Sequence, residues 1–180
     1  RIEGMTLADA RPRLDEALAL GVEQFSFTGG EPFVIRDFVN LLAYASEHRP
    51  CFVLTNATEP LLRRRHQVAP LVRQPHPIHF RVSLDHPDPA RHDAGRGEGS
   101  FARAMEGIAW LVAQGFRVSI ARQSDPGEDA AAVEAAFRAR FRAHGIPESL
   151  AFTAFPDLGV PGSEDGSPEI TETCMEKYPT

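Results

Sequence analysis

Apolar and polar positions along this chain switch repeatedly between a helical period and a strand-like one. Leu7, Leu14, Ala17, Leu18 and Leu20 recur at helical spacing, and Gly21 closes the segment. Thr6-Leu7-Ala8-Asp9 in front of it has the form of a capping box, while Pro12 inside the pattern predicts that the regular helix begins only there. Residues 22–27 alternate through Phe25 and Phe27 as a strand and stop at Gly29-Gly30-Glu31-Pro32. Asp37 then reads as the cap of a second helix whose apolar face is Phe38, Leu41, Leu42 and Ala45. Cys51-Phe52-Val53-Leu54 is the continuous apolar run of a strand covered on both faces. Pro60 suits the first position of a third helix, which carries Leu61, Leu62, Val68, Leu71 and Val72. A strand follows over 78–84, and 87–100 reads as a long polar loop. Ser100 is placed to cap a helix bearing Phe101, Met105, Ile108, Trp110 and Leu111, closed by Gly115. A strand over 116–121, an Ala-rich helix over 128–144 and a strand over 150–155 complete the pattern.

The order is a helix, four βα units and a final strand. Such alternation means parallel strands joined by right-handed crossovers. The strands are too few for a closed eight-stranded barrel, which leaves a partial barrel or a doubly wound sheet. Residues 1–156 read as one α/β core, and 157–180 as a Gly- and Pro-rich tail. Arg1-Ile2-Glu3-Gly4 looks like the interior of a longer protein rather than a start.

Composition narrows the function classes. A net charge of -6 argues against a domain that binds nucleic acid by neutralising phosphates. No apolar run approaches the roughly 18 residues a membrane helix needs, and nothing reads as a secretory signal, so the expected compartment is cytoplasmic. Cys51 and Cys174 lie too far apart in sequence for a disulfide framework or a close-spaced metal motif.

The polar residues that follow each strand carry the chemistry. These are Gly29-Gly30-Glu31, Thr55-Asn56, Ser83 with Asp85, and Arg122 with Gln123. In a parallel sheet all these ends lie on one rim, where α/β folds place their ligands. Glycines there let a ligand approach the backbone with no Cβ in the way and allow positive φ. The plain alternative is a tight βα turn with no ligand. A Schiff-base aldolase is disfavoured, because the only lysine is Lys177 in the tail.

Taken together, Phe27-Thr28-Gly29-Gly30-Glu31-Pro32, Leu54-Thr55-Asn56, Arg81-Val82-Ser83-Leu84-Asp85, His92-Asp93 and Arg96-Gly97-Glu98-Gly99-Ser100-Phe101 resemble the core of a radical S-adenosylmethionine (radical SAM) enzyme. The resemblance runs from about Thr6 to Phe155 and implies a partial (β/α)6 barrel whose first strand is missing. It implies that Gly29, Gly30, Glu31 and Pro32 form the turn receiving the methionine amino group, through backbone carbonyls and the Glu31 carboxylate. It places Ser83 against the ribose or amino-acid part, Thr55 and Asn56 on the same rim, Asp85 among the cofactor-binding residues, and Arg122 as a clamp for the cofactor carboxylate. Expected partners are a small-molecule or peptide substrate and a reductant such as flavodoxin or ferredoxin, with no nucleic acid and no membrane.

One departure bears on the chemistry. The family holds a 4Fe–4S cluster on three close cysteines, and this chain has no such motif. The main cluster's ligands are therefore expected upstream of Arg1. Cys51 reads as a small buried hydrophobe, and Cys174 as either a free thiol or the first ligand of an auxiliary cluster. Arg63-Arg64-Arg65-His66 reads as a solvated helix face, His92-Asp93 as a structural loop element, and His76 and His79 as lying away from the site. Two rivals stand beside the enzyme reading: a cluster-free scaffold of the same fold that binds SAM or a peptide, and an unrelated α/β barrel enzyme.

Overall fold

The computed structural model describes residues 5–156. Helix α1 spans Leu7–Ala19, and strand β1 Phe25–Phe27. After a 3-10 turn at Pro32–Val34 come α2 (Phe38–His48) and β2 (Cys51–Thr55). Two short helices, α3 (Glu59–Leu62) and α4 (Arg65–Val68), run into a 3-10 segment at Ala69–Arg73 and then β3 (Ile78–Ser83). The chain continues through α5 (Pro89–Arg96), α6 (Ser100–Ala113), β4 (Arg117–Ser124), α7 (Ala130–Ala143) and β5 (Ala151–Pro156). The five strands form one parallel sheet in sequential order.

Register decides what each face does. Phe27, Val53, Phe80 and Val118 lie in line across the sheet and share a face, as do Thr55, Val82 and Ile120. That face meets Leu42 of α2, Ile108 and Leu111 of α6, and Phe137 and Phe141 of α7 in one buried core. Phe152 of β5 packs 5.4 Å and 5.9 Å, centroid to centroid, from Phe137 and Phe141. The opposite face presents Ser26, Phe52, Leu54, His79, Arg81 and Ser83, together with the alternate residues of β4. Phe52 and Leu54 are only half-buried there.

Local chemistry moved several boundaries. The Thr6–Asp9 capping box is formed, and it fixes the first turn firmly enough for α1 to start at Leu7 with Pro12 inside it. The first strand is shorter than its apolar pattern, because Gly21 (φ +84°) and Val22 turn their N–H groups back onto Leu18 and Ala17 to close α1. Asp37 does not cap α2 through its side chain. Its carboxylate instead accepts from the Leu7 N–H (2.5 Å) and the Asn40 amide (2.6 Å), tying the start of α1 to α2. The third helix is broken in two and ends in a 3-10 segment at Pro70, whose ring nitrogen cannot donate. The stretch expected as a loop over 87–100 contains α5, started by Asp88, which accepts from the Ala90 and Arg91 N–H groups, and by Pro89 in the first turn.

Candidate functional site

The rim at the carboxyl ends of β1, β2 and β3 is built around the Gly29–Gly30 turn. Thr28, Gly29 and Gly30 are exposed, and Gly29 sits at φ +142°, a conformation costly for any side chain. A Cβ added at either glycine would meet nothing within 4 Å. Among the described residues, no N–H donates to the Gly29 or Gly30 carbonyl, so both acceptors are open to a ligand ammonium.

Glu31 makes contacts within the chain that its place in the sequence did not reveal. Its carboxylate accepts from the Phe33 N–H (3.1 Å), the Thr55 hydroxyl (2.9 Å) and the Asn56 N–H (2.7 Å). It therefore staples the glycine turn to the end of β2. Thr55 belongs to this staple: it is buried, faces the helix layer and accepts from the Ala57 N–H. Pro32 is buried at the start of the 3-10 turn.

Asn56 and Asp85 are joined by a residue whose role the sequence reading did not assign, Arg96 at the end of α5. Its guanidinium donates to Asn56 Oδ1 (2.7 Å) and grips Asp85 through Nε and Nη2, the latter at 2.8 Å from Oδ1. Ser83 lines a cavity of about 380 Å³ beside this bridge, together with Asn56, His92, Ser100 and Arg103. His92 is 1% exposed, and its Nδ1 accepts from the Asp85 N–H (3.2 Å). Burial holds its pKa below the usual imidazole value, so it stays neutral and acts as an acceptor. Asp93 caps α6, accepting from the Gly99 N–H, the Ser100 hydroxyl and the Phe101 N–H. This takes the capping role expected of Ser100, and the His92–Asp93 pair is structural.

Gly107 of α6 sets the height of the β2–α3 loop. A Cβ there would strike the Ala57 carbonyl, and Ala57 itself turns at φ +54°. Close backbone approach holds Asn56 at the rim.

Arg122, expected as a cofactor clamp, lies on the helix-covered face of the sheet. It shares the face of Ile120, is 2% exposed, and pairs with Glu128 while donating to the Gln123 carbonyl (3.0 Å). Its Nε has no partner among the described residues. The reason is length: β4 runs on to Ser124, so Arg122 is interior to the strand and turns toward the helices. Cys51 is buried, with its thiol pushed up to about 12 by burial. Cys174 falls outside the described residues, and the described residues contain no group of three His, Cys, Asp or Glu that could hold a metal. None of the described helices is long and apolar enough to cross a membrane.

A sequential parallel sheet with open carbonyls, a glycine turn and a polar cavity at its carboxyl rim defines an α/β cofactor-binding core. The model of the radical SAM superfamily matches residues 1–139, and the chain belongs to that superfamily, whose members use S-adenosylmethionine and a 4Fe–4S cluster. It is 32% identical over 116 residues to an AdoMet-dependent heme synthase of Nitratidesulfovibrio vulgaris, covering 62% of this chain and 30% of that protein. It is 33% identical over 103 residues to the mycofactocin maturase MftC of Mycobacterium ulcerans, covering 57% of this chain and 27% of that protein. The structure of Streptococcus suis SuiB bound to its precursor peptide SuiA shares the fold, with a TM-score of 0.62 at 17% identity over 84% of this chain and 33% of SuiB. The chain thus spans about a third or less of the length of each of these proteins.

Proposed function

We propose that this chain is the S-adenosylmethionine-binding core of a radical SAM enzyme that acts on a peptide or small-molecule substrate. The observation that carries the reading is the pair of unoccupied carbonyls at Gly29 and Gly30, held beside Asn56 by the Glu31 staple on the rim that Ser83 shares. An ammonium has three N–H donors and needs acceptors of this kind. The cavity beside Ser83 offers hydroxyls, an amide and guanidinium groups to the polar parts of the cofactor. When bound next to a reduced cluster, the cofactor supplies a 5′-deoxyadenosyl radical for hydrogen abstraction, and the protein contributes position and exclusion of water. The cluster does not fit the residues present: it needs thiolates, and Cys51 and Cys174 cannot supply three. Reduction of that cluster is assigned to a partner such as flavodoxin or ferredoxin. A peptide substrate is favoured by the fold shared with SuiB, whose structure holds a precursor peptide.

Calorimetric titration of S-adenosylmethionine into this chain and into Glu31→Ala tests the reading. The parent chain binds, and the variant binds at least about tenfold more weakly, because the turn and Asn56 lose their common anchor. No binding by the parent chain, or equal binding by both, overturns it.

A further inference from the structure

The sheet face opposite the helices carries a cationic cluster that the rim chemistry leaves unused. Arg81, at the centre of β3, lies in register with Leu54 and Ser119 and is half-buried. Its guanidinium carbon sits 4.7 Å from the centroid of the Phe52 ring, and its Nε donates to Ser119 Oγ (3.3 Å). Ser119 is 3% exposed and also shares a 2.8 Å hydrogen bond with His79 Nε2. The guanidinium plane is thus fixed by a ring on one side and a buried hydroxyl at one edge. Both Nη groups have no hydrogen-bond partner, and no carboxylate lies within ion-pair distance of Arg81, among the described residues. Arg117, His79 and Arg81 gather on this face, and none of its strand positions in the described residues is acidic. Mutual repulsion and burial keep His79 neutral, with its pKa lowered by burial first and then by Arg81 and Arg117.

We infer that Arg81, oriented by Phe52 and Ser119, forms a bidentate subsite for a carboxylate group of the substrate, one layer beneath the cofactor rim. Two free Nη groups in a fixed plane match the two oxygens of a carboxylate, a geometry that a lysine cannot offer. Ser83 lies two residues further along the same strand and face, so the subsite sits roughly 6–7 Å below the rim. That spacing lets one molecule touch both levels. The assignment rests on the proposed function for calling the bound group substrate, and it defines that substrate as an acid, such as an acidic peptide side chain.

The test is a set of NMR titrations of the chain with glutarate, with its neutral diamide, and separately with S-adenosylmethionine. Glutarate is expected to give saturable shifts at Phe52, His79, Arg81 and Ser119, and the diamide none. Arg81→Gln is expected to weaken glutarate at least about tenfold while leaving cofactor shifts at Gly29 and Gly30 in place, with Arg81→Lys falling between. Unchanged amide dispersion in Arg81→Gln verifies that it is folded. Glutarate binding that ignores Arg81→Gln, or no saturable shift, overturns the subsite. Loss of the cofactor rather than of glutarate in Arg81→Gln also overturns it, by moving Arg81 into the cofactor site. Glutarate binding without cofactor binding leaves the carboxylate subsite standing and rejects the proposed function instead.

Discussion

Gly107→Ala should uncouple the rim from the core. In the native chain the α6 backbone at Gly107 lies directly against the Ala57 carbonyl, and a Cβ would come within 2.9 Å of both the Ala57 carbonyl carbon and its Cβ, with the oxygen closer still. Carbon pairs need about 3.5–4.0 Å, so the two backbones must separate by roughly 1 Å. The loop cannot follow freely, because the Ala57 N–H is held by Thr55 Oγ1 at 3.0 Å and the Asn56 N–H by Glu31 at 2.7 Å. Overpacking of this kind costs about 3 kcal/mol at the upper end of its usual range. Alanine returns about 1 kcal/mol of helix propensity, leaving a net loss of about 2 kcal/mol. Gly95→Ala is the control: Gly95 is in α5, a Cβ there meets nothing within 4 Å, and a gain of about 0.5–1 kcal/mol is expected. Urea unfolding of the two variants reads both numbers. Equal or greater stability of Gly107→Ala would refute the packing argument, whatever the control does.

Two further outcomes follow from the site's neighbours. Asp93 is held below the usual carboxylate range, first by the Phe101 N–H and then by the Gly99 N–H and the Ser100 hydroxyl. Its contribution is therefore complete above the unfolded value of about 3.9 and lost as pH falls through the lower folded value, so the stability gap between parent and Asp93→Asn should shrink below about pH 4. A gap that widens on acidification would contradict the capping role. At the buried pair, Glu128→Ala should destabilise the chain more than Arg122→Met, because the first strands a buried cation whereas the second also removes an unpaired Nε; the reverse order in thermal melts would contradict that account.

Much of the sheet was legible because its strands are short apolar runs. Cys51 to Leu54 and the stretch ending at Ser83 announced β2 and β3, and the polar residues after them were correctly grouped at one end. What the sequence concealed was direction. Arg122 follows the apolar run of β4, but β5 pairs with that strand as far as Ser124, so parity with Ile120 rather than position in the run decides where its side chain goes. Glu31 was legible as a site residue, but its tie to Thr55 and Asn56 was not, since only the fold brings them within reach of its carboxylate. Helix α5 was hidden by Pro, Gly and charge, although Asp88-Pro89 carried a start signal. The bridging role of Arg96 gave no cue, because its partners Asn56 and Asp85 lie 40 and 11 residues away.

The central claim is that the glycine turn and the strand ends beside it form the cofactor rim. Amide hydrogen exchange with and without S-adenosylmethionine addresses it most directly. The account predicts added protection at Gly29, Gly30, Asn56 and Ser83, with none at Cys51, Ile78 or Arg117, where the same strands begin. Protection at those strand starts, or none anywhere at saturating cofactor, would contradict it.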